Sequence, residues 1–229
     1  NGIQDEGEEG IANARLVMED GTIVTTDKDG KYHIPGVVPG WHLLKLQGTS
    51  DQRQAVRITE GLIAKANFAV KEKPGKPSDF TLVLLGDGEL GRSNVDDDIN
   101  VDLTQHKKND PRYDDGWYGK GRVASYLKAK TGDFRVTASL DTDRDRNREL
   151  YRYIDPDKYY PLYGDDSTIS WDATNTQGPL YLNVTHEPTG SNFLLGNYQT
   201  SLGGTELATY NRTLYGVNFD LKPKLVENH

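Results

Sequence analysis

Residues 121–141 read GRVASYLKAKTGDFRVTASLD, and their alternation decides the fold. Val123, Ser125, Leu127 and Ala129 lie on one side of an extended chain. After the turn Thr131-Gly132-Asp133, Val136, Ala138 and Leu140 continue that side. Tyr126, Lys128, Arg135 and Thr137 fall on the other. A period of two is that of a β-strand, and a glycine between two such runs marks a hairpin. Two settings suit such a pair. One is a soluble sheet or sandwich that covers the apolar face. The other is a barrel wall, where ~9–11 residues per strand meet lipid and Lys or Arg face a lumen.

The same periodicity runs outward in both directions. Leu180 to His186, Asn192 to Thr200 and Leu214 to Leu221 predict three more strands, with an irregular link over 205–213. Phe80 to Leu85 is a continuous apolar run, which predicts a strand buried on both faces. Gly86 to Gly119 is polar, acidic and glycine-rich, which predicts a long loop. Nearer the start, Ala14, Leu16 and Met18 alternate with Arg15, Val17 and Glu19, and Asp20-Gly21 predicts a tight hairpin into Ile23–Thr26. Tyr32 with Ile34, Trp41 to Leu46, Ala55 to Ile58, and the alternation Leu62, Ala64, Ala66, Phe68, Val70 predict further strands. Six or seven short strands here indicate a small antiparallel sandwich.

Lys71 to Ser78 combines proline, glycine and charge without periodicity and reads as a linker. The expected organisation is a β-sandwich over 1–73, a linker over 74–78 and a larger antiparallel β-rich domain over 79–229. The fold class is all-β.

Composition bounds the function. The 229 residues include no cysteine, which removes disulfides, thiolate metal sites and thiol nucleophiles. The net charge of −8 argues against sequence-independent nucleic-acid binding. Mean hydropathy is −0.73, and no apolar run approaches the ~20 residues of a spanning helix, so no helical membrane span is expected.

The chemistry-bearing motifs are acidic. Asn1-Gly2-Ile3-Gln4-Asp5-Glu6-Gly7-Glu8 matches the second half of an EF-hand-type loop. In that register Asn1, Asp5 and Glu8 offer side-chain oxygens and Ile3 a backbone carbonyl, around Gly2 at the sharp turn. Calcium takes six to eight hard oxygens, and this spacing wraps such groups around one point. The chain begins inside this motif, so it is expected to be a piece of a longer protein. Asp96 and Asp98 form a second acidic candidate for calcium. Asp141, Asp143 and Asp145 share the calcium-loop spacing, but Arg146 replaces the turn glycine and Arg144, Arg146 and Arg148 would neutralise the site, so a solvated ion-pair patch is expected instead.

The stretches Asn1 to Ala14, Thr26 to Ile34 and Val38 to Leu43 resemble the B-type repeat domain of serine–aspartate-repeat adhesins (SdrD B-like). They are also similar to the transthyretin-like and carboxypeptidase-regulatory-like sandwiches. The resemblance covers residues 1–70. It implies an extracellular, prealbumin-like β-sandwich, often calcium-stabilised, that serves as a stalk or spacer. Asn1, Asp5 and Glu8 match the family's calcium positions. Some relatives cross-link a first-strand lysine to a last-strand asparagine; this chain has no lysine before Lys28. Over 79–221, the stretches beginning at Gly121, Ala138, Tyr159 and Asn211 are similar to strand-rich segments of large Gram-negative surface or outer-membrane proteins.

The resulting expectation is a non-catalytic module of the extracellular space or cell envelope, bacterial and at the surface or outer membrane. It would act as a calcium-stabilised spacer joined to a display or adhesion domain. Its partner would be a surface protein or a glycan. One alternative is carbohydrate binding through Trp117, Tyr118 and Trp171, whose rings present an apolar face with a polar handle. Another is part of an outer-membrane β-barrel. No zinc spacing, nucleophile elbow or phosphate loop supports an enzyme.

Overall fold

The computed structural model describes residues 9–48, 52–70, 75, 78–94, 116–143, 168–171, 178–202 and 210–222. The described part is all-β: eleven strands in two antiparallel sheets, with no helix among the described residues. In chain order the strands are β1 (Arg15–Met18), β2 (Thr22–Thr25), β3 (Gly40–Leu46), β4 (Arg53–Ile58), β5 (Phe80–Ser93), β6 (Gly116–Thr131), β7 (Phe134–Asp141), β8 (Thr168–Trp171), β9 (Leu180–His186), β10 (Ser191–Leu202) and β11 (Tyr210–Asp220).

The first sheet runs β4-β3-β1-β2-β8. Its β1–β2 hairpin turns at Asp20-Gly21 as the sequence predicts, with Gly21 N–H donating to Met18 O. Its fifth strand comes from the later part of the chain: β8 pairs along β2 from Thr22↔Trp171 to Thr25↔Thr168. One face buries Ala14, Leu16, Met18, Val24, Leu44 and Leu46 against Tyr32, Ile34, Val56, Phe68 and Val70. Tyr32 and Ile34, and the stretch Leu62 to Val70, are not strands, contrary to expectation. Tyr32, Ile34, Phe68 and Val70 still pack on this core, while Leu62 and Ala64 are exposed, and side chains hold these segments in place of a ladder. Tyr32 Oη donates to Ala66 O at 2.6 Å and Gln52 Nε2 to Ala69 O at 2.7 Å. Burial pushes the Tyr32 hydroxyl up to about 12, so it remains a donor. Periodicity reports which face is buried and does not require a paired neighbour. Within the linker, Gly75 N–H donates to Gly48 O.

The second sheet runs β11-β10-β9-β7-β6-β5. The hairpin over 121–141 pairs as the alternation predicts, from Ala124↔Asp141 to Thr131↔Phe134, and turns at Gly132 with φ 54°. Gly86 to Ser93 belongs to β5 and Gly116 to Gly119 to β6, so the long loop expected over 86–119 is shorter at both ends. Glycine hid the alternation there, because it places no side chain on either face. Likewise Tyr210 to Thr213 opens β11 where an irregular link is expected.

Glycines in this sheet seat tyrosine rings. A methyl group added at Gly91 would lie 2.5 Å from the Tyr118 ring, and one at Gly196 would lie 2.7 Å from Tyr181. An aromatic ring laid over a strand glycine covers backbone that would otherwise be bare. Gly196→Ala should therefore destabilise the sheet by roughly 1–3 kcal/mol, the usual range for overpacking. Denaturant titration checks this, and adding Tyr181→Ala should recover part of the loss.

Candidate functional site

Along two rows of the register the faces of the second sheet are opposite in chemistry. One row of Cα partners crosses all six strands as Phe80, Ala129, Val136, Val184, Phe193 and Phe219. The next crosses as Leu82, Leu127, Ala138, Leu182, Leu195 and Val217. All twelve residues are apolar. A third row starts Leu84, Ser125, Leu140 and Leu180. Phe193 and Phe219 meet edge-on with centroids 4.8 Å apart. Neither buried apolar cluster includes these residues. Phe80 is 57% exposed, Leu84 59% and Phe219 65%. The run Phe80 to Leu85 is therefore not buried on both faces as expected: Thr81, Val83 and Leu85 are buried, while Phe80, Leu82 and Leu84 are exposed.

The opposite face carries the charge. Asp87, Glu89, Lys120, Arg122, Lys128, Lys130, Arg135, Asp141 and Asp220 all take its parity. Its ion pairs lie here too: Lys130 and Arg135 hold Glu187 at 2.7 and 2.6 Å. The Lys130 hydrogen bond holds the Glu187 carboxyl below its ordinary value. Asn192 Nδ2 donates to Asn183 Oδ1 and Thr185 Oγ1, and Tyr118 Oη to Glu89. On the apolar face the charged residue is Arg92, at the end of β5, where its partner is Trp117, 75% exposed.

The first sheet sits on the charged face. Val17 and Ile23, with Leu43, pack against Val83, Tyr126 and Tyr181. Beside them is a buried charge cluster. Glu19, at the β1–β2 turn, is 0% exposed. Its Oε1 accepts from His42 Nδ1 at 2.7 Å, and its Oε2 from the Leu43 N–H at 2.9 Å. Arg122 binds Asp141 through two bonds, Nε to Oδ1 at 3.0 Å and Nη2 to Oδ2 at 2.9 Å. The two pairs meet where Arg122 Nη2 lies 3.5 Å from Glu19 Oε1.

The protonation of His42 follows from its neighbours. Its Nε2 faces Val38 O at 2.7 Å, so both ring nitrogens face acceptors, and only the imidazolium donates to both. Burial alone would lower its pKa, and Arg122 opposes the charge. The hydrogen bond and charge of Glu19 outweigh both, and the net direction is up. The Asp141 hydrogen bonds hold Arg122 above its ordinary value. Burial raises the neighbouring Asp20 carboxyl. With His42 protonated, the two cations and two anions balance.

The structure distributes the sequence-predicted site residues unevenly. Asn1, Ile3, Asp5, Glu8, Asp96 and Asp98 lie outside the described residues. Trp117 and Tyr118 are consecutive in β6 and so point to opposite faces, which prevents their rings from sharing a platform. Trp171 pairs through its backbone with Thr22 in the first sheet. Asp141 and Asp143 pair with Arg122 and Lys120; Asp141 is buried and not part of the solvated patch expected, because Arg122 of β6 draws it into the junction, and Asp145 lies outside the described residues. Among the described residues no three His, Asp or Glu gather as a metal site, and no helix is long and apolar enough to cross a membrane. Sequence reading missed Glu19 and Arg122, because each looks like an ordinary polar position in an alternating strand.

Comparison of the chain with protein-family models, curated proteins and solved structures finds no match.

His42 binds its proton more tightly folded than unfolded. Its contribution to stability is full below the ordinary imidazole value of about 6.5 and fades as pH rises through the raised folded value. The stability gap between the native chain and His42→Gln should therefore narrow with rising pH, read by urea titration across that range.

Proposed function

We propose that the six-stranded sheet, β5 to β7 with β9 to β11, forms part of the wall of a membrane-embedded β-barrel, with the apolar face toward hydrocarbon and the charged face toward a lumen. The two apolar rows that cross six strands without a polar residue carry this reading. A soluble sheet would cover such a face with a second layer. From Phe80 to Leu90 the outward residues of β5 are Phe, Leu, Leu, Gly, Gly and Leu. At ~3.3 Å per residue that stretch is roughly 33 Å long, or about 25 Å of depth at a tilt near 40°, the height of a barrel's apolar band. Trp117 beside Arg92 at its end suits the interfacial belt, where an aromatic ring and a cation meet headgroups. The function supported is structural, in a bacterial outer envelope, with the first sheet as an attached β-domain on the lumenal side.

The test compares the faces. Val123→Arg, on the apolar face opposite Gly86 near the middle of the Phe80–Leu90 stretch, should cost roughly 2–4 kcal/mol in lipid vesicles, the penalty of a cation near the bilayer midplane. Thr137→Arg, on the charged face, should cost much less. A folded, monodisperse chain in detergent-free buffer, with both substitutions equally tolerated, would overturn the reading.

The Asn1–Glu8 half loop supports a companion proposal, that calcium stabilises the first domain. Added calcium should raise Tm by linkage, and Glu8→Gln should abolish the rise. An unchanged Tm in thermal melts would refute it.

A further inference from the structure

We propose that the five-stranded sheet is a detachable plug on the lumenal face of the wall, held by the Glu19–Arg122 contact and released as a folded unit. This rests on the barrel reading above, which supplies the lumen.

Three observations carry it. The first sheet's own core, centred on Leu16, Met18, Val24 and Leu46, lies on the face away from the wall, so separation leaves it closed. Strand β8 is laddered to β2 and travels with it. The second observation is the pairing of charge. Removing one partner of a buried ion pair is normally costly because it strands the other charge. Here each side keeps its own counter-ion: Glu19 has His42 and the Leu43 N–H, and Arg122 has Asp141. The link that crosses, at 3.5 Å, is longer than any of these bonds, which span 2.7–3.0 Å.

Third, other polar links described across the junction are long as well: Gln47 Nε2 to Thr81 Oγ1, Lys45 Nζ to Leu82 O and Arg122 Nη1 to Trp41 O span 3.2, 3.4 and 3.3 Å. Gln47 Oε1 and Ser139 Oγ are buried with no hydrogen-bond partner among the described residues. Opening would hydrate both, which offsets part of the cost of exposing Val17, Ile23, Val83 and Tyr126 to water.

The chain has no cysteine, so single thiols report locally. In the full chain, reconstituted in phosphatidylcholine vesicles, Ser139→Cys reports the junction to a water-soluble maleimide, and Leu127→Cys reports the lipid face. Labelling at position 139 should be slow and become about tenfold faster or more with Glu19→Ala, as expected when one partly buried ion-pair contact is removed. It should slow again when Gln47→Cys and Thr81→Cys are oxidised across the junction. Position 127 should stay protected throughout. Equal rates at 139 in all three backgrounds, with 127 protected, would overturn the plug and leave the wall intact. Fast labelling at 127 in the otherwise native chain would instead overturn the wall reading and the plug with it. If Glu19→Ala exposes both positions by unfolding, Arg122→Lys, which keeps the charge but not the fork, is measured against the same two criteria.

Discussion

A strand alternates its side chains with a period of two residues, and the second sheet is governed by that constraint. Slipping a strand by one residue would send its polar side chains into the apolar rows. Lys128 would then stand between Leu82 and Ala138, or Arg135 between Ala129 and Val184. The register is therefore held by the whole face and not by a single contact. The same constraint leaves one side of the sheet charged, and only that side accepts the first sheet.

The two cores differ in kind. The core of the first sheet is closed, with Tyr32, Phe68 and Val70 laid over it from irregular segments. The junction between sheets is smaller and mixed. Val17, Ile23, Val83 and Tyr126 supply the apolar packing, while Glu19, His42, Arg122 and Asp141 supply a neutralised cluster. Buried charges of this sort add little net stability over apolar residues, but they fix which partners meet. Arg122 suits the role because its planar fork grips Asp141 with two nitrogens and leaves Nη2 within reach of Glu19.

Much of this was legible in the residues. The hairpin over 121–141, the turns at Gly21 and Gly132 and the later strands follow from alternation and glycine placement. The glycine-rich start of the 86–119 segment was not legible. Gly86, Gly88 and Gly91 erase the pattern on both faces, and only the Tyr118 ring over Gly91 shows why a strand runs there. Leu62 to Val70 is the reverse case: a clean pattern whose backbone finds no neighbouring strand. The charge cluster was invisible because its members lie far apart in the chain, and each looks ordinary among its neighbours.

By itself the sequence determined that this protein is all-β and that its later strands carry one apolar and one charged side, since alternation is a local property of the chain. Tertiary structure decided which strands are neighbours, and so whether single apolar residues add up to rows across six strands. It also decided that β8 returns to the first sheet and that Glu19 meets Arg122. These outcomes depend on pairing between distant segments, where backbone hydrogen bonding and burial act together and local pattern carries no information.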